Sequence, residues 1–205
     1  MHSKVALLLA VTVIFAAACN RETKTNEVVT TTTNAARGTG ETTTSAAQSS
    51  TATTSQPASG VEVGDAMPAY TAPLLDGSEL DIAKQKGSVV LLNLWATWCG
   101  PCRYEIPELE KMHNAHAKDG FKVVGVSLDE GGVDGVKEFV TKHEMTYPIA
   151  LDPESHLTTL FRTSVIPTTV LIDRGGKIVW KKYGMIEGGD KTLEAALQKA
   201  LAAKS

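Results

Sequence analysis

The stretch Val89-Val90-Leu91-Leu92-Asn93-Leu94-Trp95-Ala96-Thr97-Trp98-Cys99-Gly100-Pro101-Cys102 decides how this chain folds. Its first seven residues are aliphatic or aromatic apart from Asn93, with no alternation of polar and apolar positions. A run of that kind predicts a strand apolar on both faces, in the middle of a sheet covered by helices. A short loop then delivers two cysteines separated by two residues, and a helix is predicted from there to about Ala117. The pair follows a buried strand and opens a helix.

Working outward, Pro68, Pro73 and Asp76-Gly77 punctuate a short segment that suits a hairpin. After the helix, Lys122 to Leu128 predicts a second strand, and Val133, Val136, Phe139 and Val140 then share one helical face. Tyr147 to Leu151 predicts a short strand. Asp152-Pro153 predicts a helix start, an N-cap residue followed by proline at the first helical position, with Leu157, Leu160 and Phe161 at helical spacing. Thr168 to Ile172 and Ile178 to Tyr183 predict two strands joined at Gly175-Gly176. Asp190 then caps a last helix that turns Leu193, Leu197 and Leu201 inward. Strand–helix alternation followed by a hairpin and a helix implies an α/β sandwich with a mixed sheet.

The N-terminal part has a different character. His2 and Lys4 precede an apolar run from Val5 to Ala18 whose only polar member is Thr12. The run is too short for a membrane span, which takes about 20 apolar residues, and has the layout of a secretory signal. It closes on Ala16-Ala17-Ala18-Cys19. From Asn20 to Gly60 there is no Leu, Ile, Phe, Tyr or Trp, and Thr, Ser and Ala dominate. Such a segment cannot bury enough apolar surface to offset its ordering entropy, so it is expected to be disordered. As a flexible coil it would span roughly 35–40 Å. The expected organisation is therefore a signal peptide over 1–18, a linker over 19–60 and one domain over 61–205. The formal net charge of −3 gives no basic face for nucleic acid.

The chain has three cysteines, and Cys19 falls where the export segment stops. Cys99 and Cys102 remain, and their spacing has three common explanations. A structural zinc site needs four ligands, and no further cysteine lies in the folded part. A c-type haem attachment needs His directly after the second cysteine, where this chain has Arg103. A redox dithiol fits the placement, because a helix N-terminus stabilises a thiolate through free N–H groups and the dipole. Cys99, nearest that end, is the expected nucleophile. Cys102, one turn along, is the expected resolving thiol, while Gly100 and Pro101 shape the loop and let the helix start.

Trp98-Cys99-Gly100-Pro101-Cys102 matches the thioredoxin active-site motif, and Pro107 stands five residues after Cys102, where thioredoxins kink this helix. The stretch Val61 to Ser205 resembles the TlpA/ResA-like branch. Asn93 occupies the place of thioredoxin's buried aspartate, an extra strand–helix pair is inserted between about Gly131 and Leu151, and Glu105 occurs in Cys-Arg-Tyr-Glu. The resemblance implies a thioredoxin fold, a central mixed sheet flanked by helices, with an N-terminal hairpin extension and a central insertion. It implies that Ile166-Pro167-Thr168 is the loop whose proline is cis and faces the dithiol, with the Ile166 backbone offered to an extended partner segment. Small residues before Cys19 resemble a lipoprotein box, although Ala16 stands where that box usually has Leu. The alternative is an ordinary signal cut at the alanines.

What the resemblance implies for function is a monomeric, membrane-tethered reductase of disulfides in envelope proteins, recharged by a membrane thiol donor, with cytochrome c apoproteins among its substrates. It implies no cofactor beyond the Cys99–Cys102 couple and no metal. Candidate catalytic residues are Cys99, Cys102, Glu105 and Pro167; candidate substrate contacts are Trp98, Gly100, Pro101 and Ile166; Cys19 is the candidate lipidation site. Asn93 cannot accept a proton at neutral pH, so Cys102 must be deprotonated by water or by Glu105, three residues along the helix. Alternatively Glu105 only complements the helix dipole. Trp95 is expected in the core and Trp98 exposed beside Cys99. His113 and His116 read as solvated helix residues rather than metal ligands, and His143 and His156 have no visible partner. Two other function classes stand open. A peroxiredoxin-like peroxidase would need a proline and a threonine where this chain has Leu92 and Ala96. A non-catalytic copper- or haem-binding lipoprotein would use the same fold, although Sco-type copper proteins space their cysteines by three.

Overall fold

The computed structural model describes residues 60–203. The expected signal peptide, Cys19 and all of the expected linker except Gly60 lie outside them. The elements run in chain order β1 (Thr71–Pro73), β2 (Glu79–Asp81), β3 (Val89–Trp95), α1 (Gly100–His116), β4 (Phe121–Ser127), α2 (Val133–Lys142), β5 (Ile149–Leu151), α3 (His156–Phe161), β6 (Thr168–Ile172), β7 (Ile178–Tyr183) and α4 (Lys191–Ala202). Short 3-10 turns follow β2 and α1. Five strands form one sheet in the order β5-β4-β3-β6-β7, and β1 pairs with β2 in a separate antiparallel hairpin. β3 lies parallel to β4 and antiparallel to β6, with Leu94 opposite Thr168. This is the thioredoxin fold that the resemblance implies, with the hairpin before it and α2–β5 inserted.

All seven residues of β3 are buried. Because side chains alternate along a strand, Val89, Leu91, Asn93 and Trp95 face one layer and Val90, Leu92 and Leu94 the other. The first layer holds Cys102, Ile106 and Leu109 of α1, Val136 of α2, and Leu193, Leu197 and Ala200 of α4. The second holds Leu157 and Phe161 of α3 with Ala72, Leu80 and Ile82 of the hairpin region. Each such aliphatic side chain contributes about 1.5–3 kcal/mol on burial. The first layer is tight at Gly125 of β4, where a Cβ would stand 2.9 Å from both Trp95 Nε1 and Ile149 Cδ1.

Two boundaries differ from the sequence reading. The helix expected at Asp152-Pro153 begins instead at His156. Residues 152–155 form a turn, closed by Ser155 N–H donating to the Asp152 carbonyl (2.9 Å), with Ser155 in the left-handed region at φ 56°. The Asp152 carboxylate still accepts from the first helical amides, His156 N (3.0 Å) and Leu157 N (2.9 Å), from further back in the chain. β5 is also shorter than expected, starting only after Pro148, which has no N–H for a ladder.

The segment before β1 lies along the outer edge of β7. Gly64 N–H donates to the Ile178 carbonyl (2.8 Å) and Ile178 N–H to the Asp65 carbonyl (2.9 Å). Farther along, Lys181 Nζ donates to the Val61 carbonyl (2.7 Å) and pairs with Glu62 (2.8 Å). The chain then crosses to the opposite edge, where Leu74 bridges Ala150 and Leu75 N–H donates to the Ile149 carbonyl (2.9 Å). Among the described residues no helix is long and apolar enough to cross a membrane.

Candidate active site

The carboxyl end of β3 delivers the loop Ala96–Cys99, closed as a turn by Cys99 N–H donating to the Ala96 carbonyl (3.0 Å). Cys99 is the N-cap of α1, and its Sγ accepts from Cys102 N–H at 3.2 Å. The two cysteines form a disulfide with Sγ–Sγ 2.04 Å. Both are nearly inaccessible, Cys99 at 4% and Cys102 at 1%. Pro101 is exposed and Gly100 half-buried at the helix start, so the approach to Cys99 is along the loop rather than through the core.

Three further sequence candidates converge on this end of the sheet. The Ile166–Pro167 peptide bond is cis, as the resemblance implies. The antiparallel register that sets Leu94 opposite Thr168 carries Pro167 and Ile166 toward the level of Trp95 and Ala96. Ile166 is half-buried, and the Pro167 carbonyl accepts from Gly184 N–H (2.8 Å). Trp98 is 71% exposed, while Trp95 is buried in the first layer. Tyr104 and Val165 are also exposed apolar side chains on the segments that flank the dithiol, and neither was singled out in the sequence.

Glu105 is 1% exposed. Its Oε1 accepts from Asn93 Nδ2 (2.7 Å) and its Oε2 from the Ile186 N–H (2.8 Å). Asn93 Nδ2 also donates to Thr169 Oγ1 (2.9 Å). Burial pushes the Glu105 carboxyl up to about 7, against the opposing pull of the Ile186 N–H, the Asn93 amide and the Lys182 ammonium. An acid that only complemented a helix dipole would be solvated and pulled down; this one is enclosed and pushed up. The arrangement is that of a carboxyl able to change protonation near neutral pH, one helical turn from Cys102.

Two other partners leave no local signal in the sequence. Ile186 reaches Glu105 from 81 residues away. Asp129, just after β4, accepts from Thr97 N–H (3.0 and 3.2 Å), Thr97 Oγ1 (2.6 Å) and Ser127 Oγ (2.8 Å). It holds the turn that presents Cys99. Their signal is purely spatial, since only strand pairing brings residues 97 and 129 together. His113 and His116 do not converge: His113 Nδ1 lies 3.4 Å from Val123 N, and His116 pairs with Asp119. His156, unpartnered in the sequence reading, sits between Asp152 and Glu154 (3.1 and 3.2 Å). Among the described residues no group of three or more His, Cys, Asp or Glu side chains is placed to hold a metal ion.

A buried strand leading into a cysteine pair at a helix start, with a cis-proline loop beside it, defines a thioredoxin-fold dithiol enzyme. Residues 62–197 match the Redoxin family model, and the chain belongs to that family. It is 31% identical over 139 residues to the thiol-disulfide oxidoreductase ResA of a Bacillus cereus strain, covering 68% of this chain and 79% of the relative. Among solved structures it is similar to a Chlorobium tepidum protein assigned as the thiol:disulfide interchange protein DsbE. That match has 32% identity and a TM-score of 0.65 over 69% of this chain and 99% of the other. A secreted thiol-disulfide isomerase from Corynebacterium glutamicum is 28% identical with a TM-score of 0.58, covering 64% and 83% of the two chains. The Cys99–Cys102 pair in this fold, with these relatives, makes the chain an enzyme of thiol–disulfide chemistry.

Proposed function

We propose that this protein is an extracytoplasmic reductase of protein disulfides, tethered to a membrane through a lipidated Cys19 and its linker. The observation that carries the dithiol chemistry is the pairing of an N-cap cysteine with an enclosed acid on the same helix, and the reducing direction follows the ResA-type relatives. The Cys99 thiolate attacks a partner disulfide, forms a mixed disulfide and expels one partner thiolate. Glu105 takes the proton of Cys102, whose thiolate then attacks Cys99 Sγ and expels the second partner thiolate. Two electrons pass to the partner, two partner sulfurs leave as thiols once protonated, and Cys99–Cys102 is left oxidised. A membrane dithiol donor restores the pair by the reverse exchange, which a compartment that favours disulfides makes necessary.

The partner segment lies extended across Gly100 and the exposed Trp98 and Pro101, and pairs with the backbone of Ile166 beside Pro167. The export-like N-terminus and the secreted relative support the location. Disulfides of envelope proteins, apocytochromes c among them, are the substrates that the family suggests, and the protein works as a monomer.

The reduction potential of the full chain, equilibrated against dithiothreitol and glutathione buffers, tests the direction. A value near or below thioredoxin's roughly −270 mV is expected; one near the roughly −120 mV of DsbA overturns the reductase reading. Mixed-disulfide trapping checks the order of attack, since Cys102→Ser should accumulate a Cys99–partner adduct while Cys99→Ser should accumulate none at Cys102.

A further inference from the structure

We infer that Asp129 is a positioning residue that sets how reducing the dithiol is, by holding a negative charge against the turn that ends in Cys99. The inference deepens the proposed reductase reading and rests on it. Its geometry begins with the sheet. Leu128 N–H donates to the Trp95 carbonyl (2.9 Å), which carries the β3–β4 pairing one residue past the strands and sets Asp129 opposite Thr97. The carboxylate then takes both donors of Thr97, and the Ser127 hydroxyl fixes it from the other side. Thr97 is the second residue of the turn Ala96–Cys99, whose ends lie within about 7 Å by the definition of such a turn. Asp129 is therefore anchored on the turn that ends in Cys99.

Two electrostatic influences meet at Cys99. The start of α1 offers free N–H groups, one of which already reaches Sγ from Cys102, and these favour the thiolate. The Asp129 charge disfavours it. The other charged groups around the site are Arg103 and Glu105 on α1, Glu130 beside Asp129, and Lys182 on β7, which is paired with Asp190; the loop from Thr163 to Thr169 on the β6 side has no ionisable side chain. Arg103 and Glu130 are exposed and screened, and Glu105 is held on the inner side by Asn93 and Ile186. That leaves Asp129 as the half-buried, fixed charge opposing the helix. A dithiol whose thiolate is less stabilised gives up its electrons more readily, because stabilising the reduced form is what makes an oxidant.

Asp129→Asn keeps an oxygen to accept from Thr97 and removes the charge. In the reduced full chain, the pH dependence of iodoacetamide alkylation at Cys99 should show the thiolate fraction rising about threefold to tenfold below its midpoint, the effect of removing one partly screened unit charge. The equilibrium with glutathione should move toward the dithiol in the same direction. Asp129→Glu, which keeps the charge, should return both toward wild type, and Glu130→Gln should leave both unchanged. If Asp129→Asn fails to fold, Asp129→Ser supplies a second neutral residue whose hydroxyl can accept from Thr97 N–H. Unchanged alkylation and glutathione equilibrium in a folded neutral variant would overturn the inference and reduce Asp129 to a structural brace. The wild-type potential, measured separately, decides the reductase reading whichever way these variants fall.

Discussion

The two layers on either side of the sheet are built to different rules. The layer under α3 and the hairpin is aliphatic beneath β3: Val90, Leu92 and Leu94 meet Leu157 and Phe161. The layer under α1 and α4 is equally buried, yet at its centre stand Asn93, Thr169 and Glu105, joined by 2.7 and 2.9 Å hydrogen bonds. Burying a carboxyl costs free energy even when it is hydrogen-bonded, and an apolar side chain of that volume would serve the fold at least as well. The aliphatic layer stabilises; the layer under α1 and α4 gives up some stability to keep an acid next to a dithiol.

Substitutions that separate the layers should break this contrast if it is wrong. The largest effect is expected on the aliphatic side. Phe161→Ala should cost about 3–5 kcal/mol in urea unfolding, the range for removing a buried aromatic, while the pH dependence of disulfide exchange keeps its shape. An altered pH profile there would mean that the layers are coupled.

On the polar side the effect should depend on pH. Glu105 ionises near its ordinary 4.5 in the unfolded chain and near 7 in the fold. Its folded value is raised, so the fold is favoured in full below about 4.5, loses stability as the pH climbs through about 7, and is level above. The loss is on the order of 3 kcal/mol. Glu105→Gln should flatten that slope in unfolding measured from pH 4 to 8, and should remove an inflection near neutrality from the rate of release of the mixed disulfide. A slope that survives the substitution would assign it to another group.

Gly125→Ala should cost about 1–3 kcal/mol, because the added methyl meets Trp95 and Ile149 at 2.9 Å. Thermal unfolding checks it, and a neutral result would show that this layer has room to give. Smallest of all, Trp98→Ala should change stability by less than about 0.5 kcal/mol, as exposed positions do. Its expected consequence is a slower reaction with protein disulfides than with small ones, read by comparing insulin with oxidised glutathione.

What could be read beforehand follows the range of the forces involved. β3, β6, β7 and the Asp190 cap are local patterns, and the structure has them where periodicity and capping chemistry put them. The start of α3 misled because Asp152 accepts from amides four and five residues on, where an N-cap reaches two or three. At the site, the cysteine pair and Glu105 were visible as types and spacings. The burial that makes Glu105 unusual was not, since it depends on Asn93 twelve residues away and on Ile186 beyond β7. Asp129 escaped for the same reason: one acid among many until the sheet set it against Thr97.

The path of residues 61–75 around the sheet bears on a hazard of a different kind. An open strand edge is a template on which any unfolded chain can add itself as another strand. Here one edge is taken by Gly64 and Asp65, followed by Lys181 and Lys182, and the other by Leu74 and Leu75. A thiol–disulfide enzyme built this way offers another chain sulfur chemistry at one end and few free backbone groups at either border, so that an unfolded chain meeting it finds little on which to add a strand.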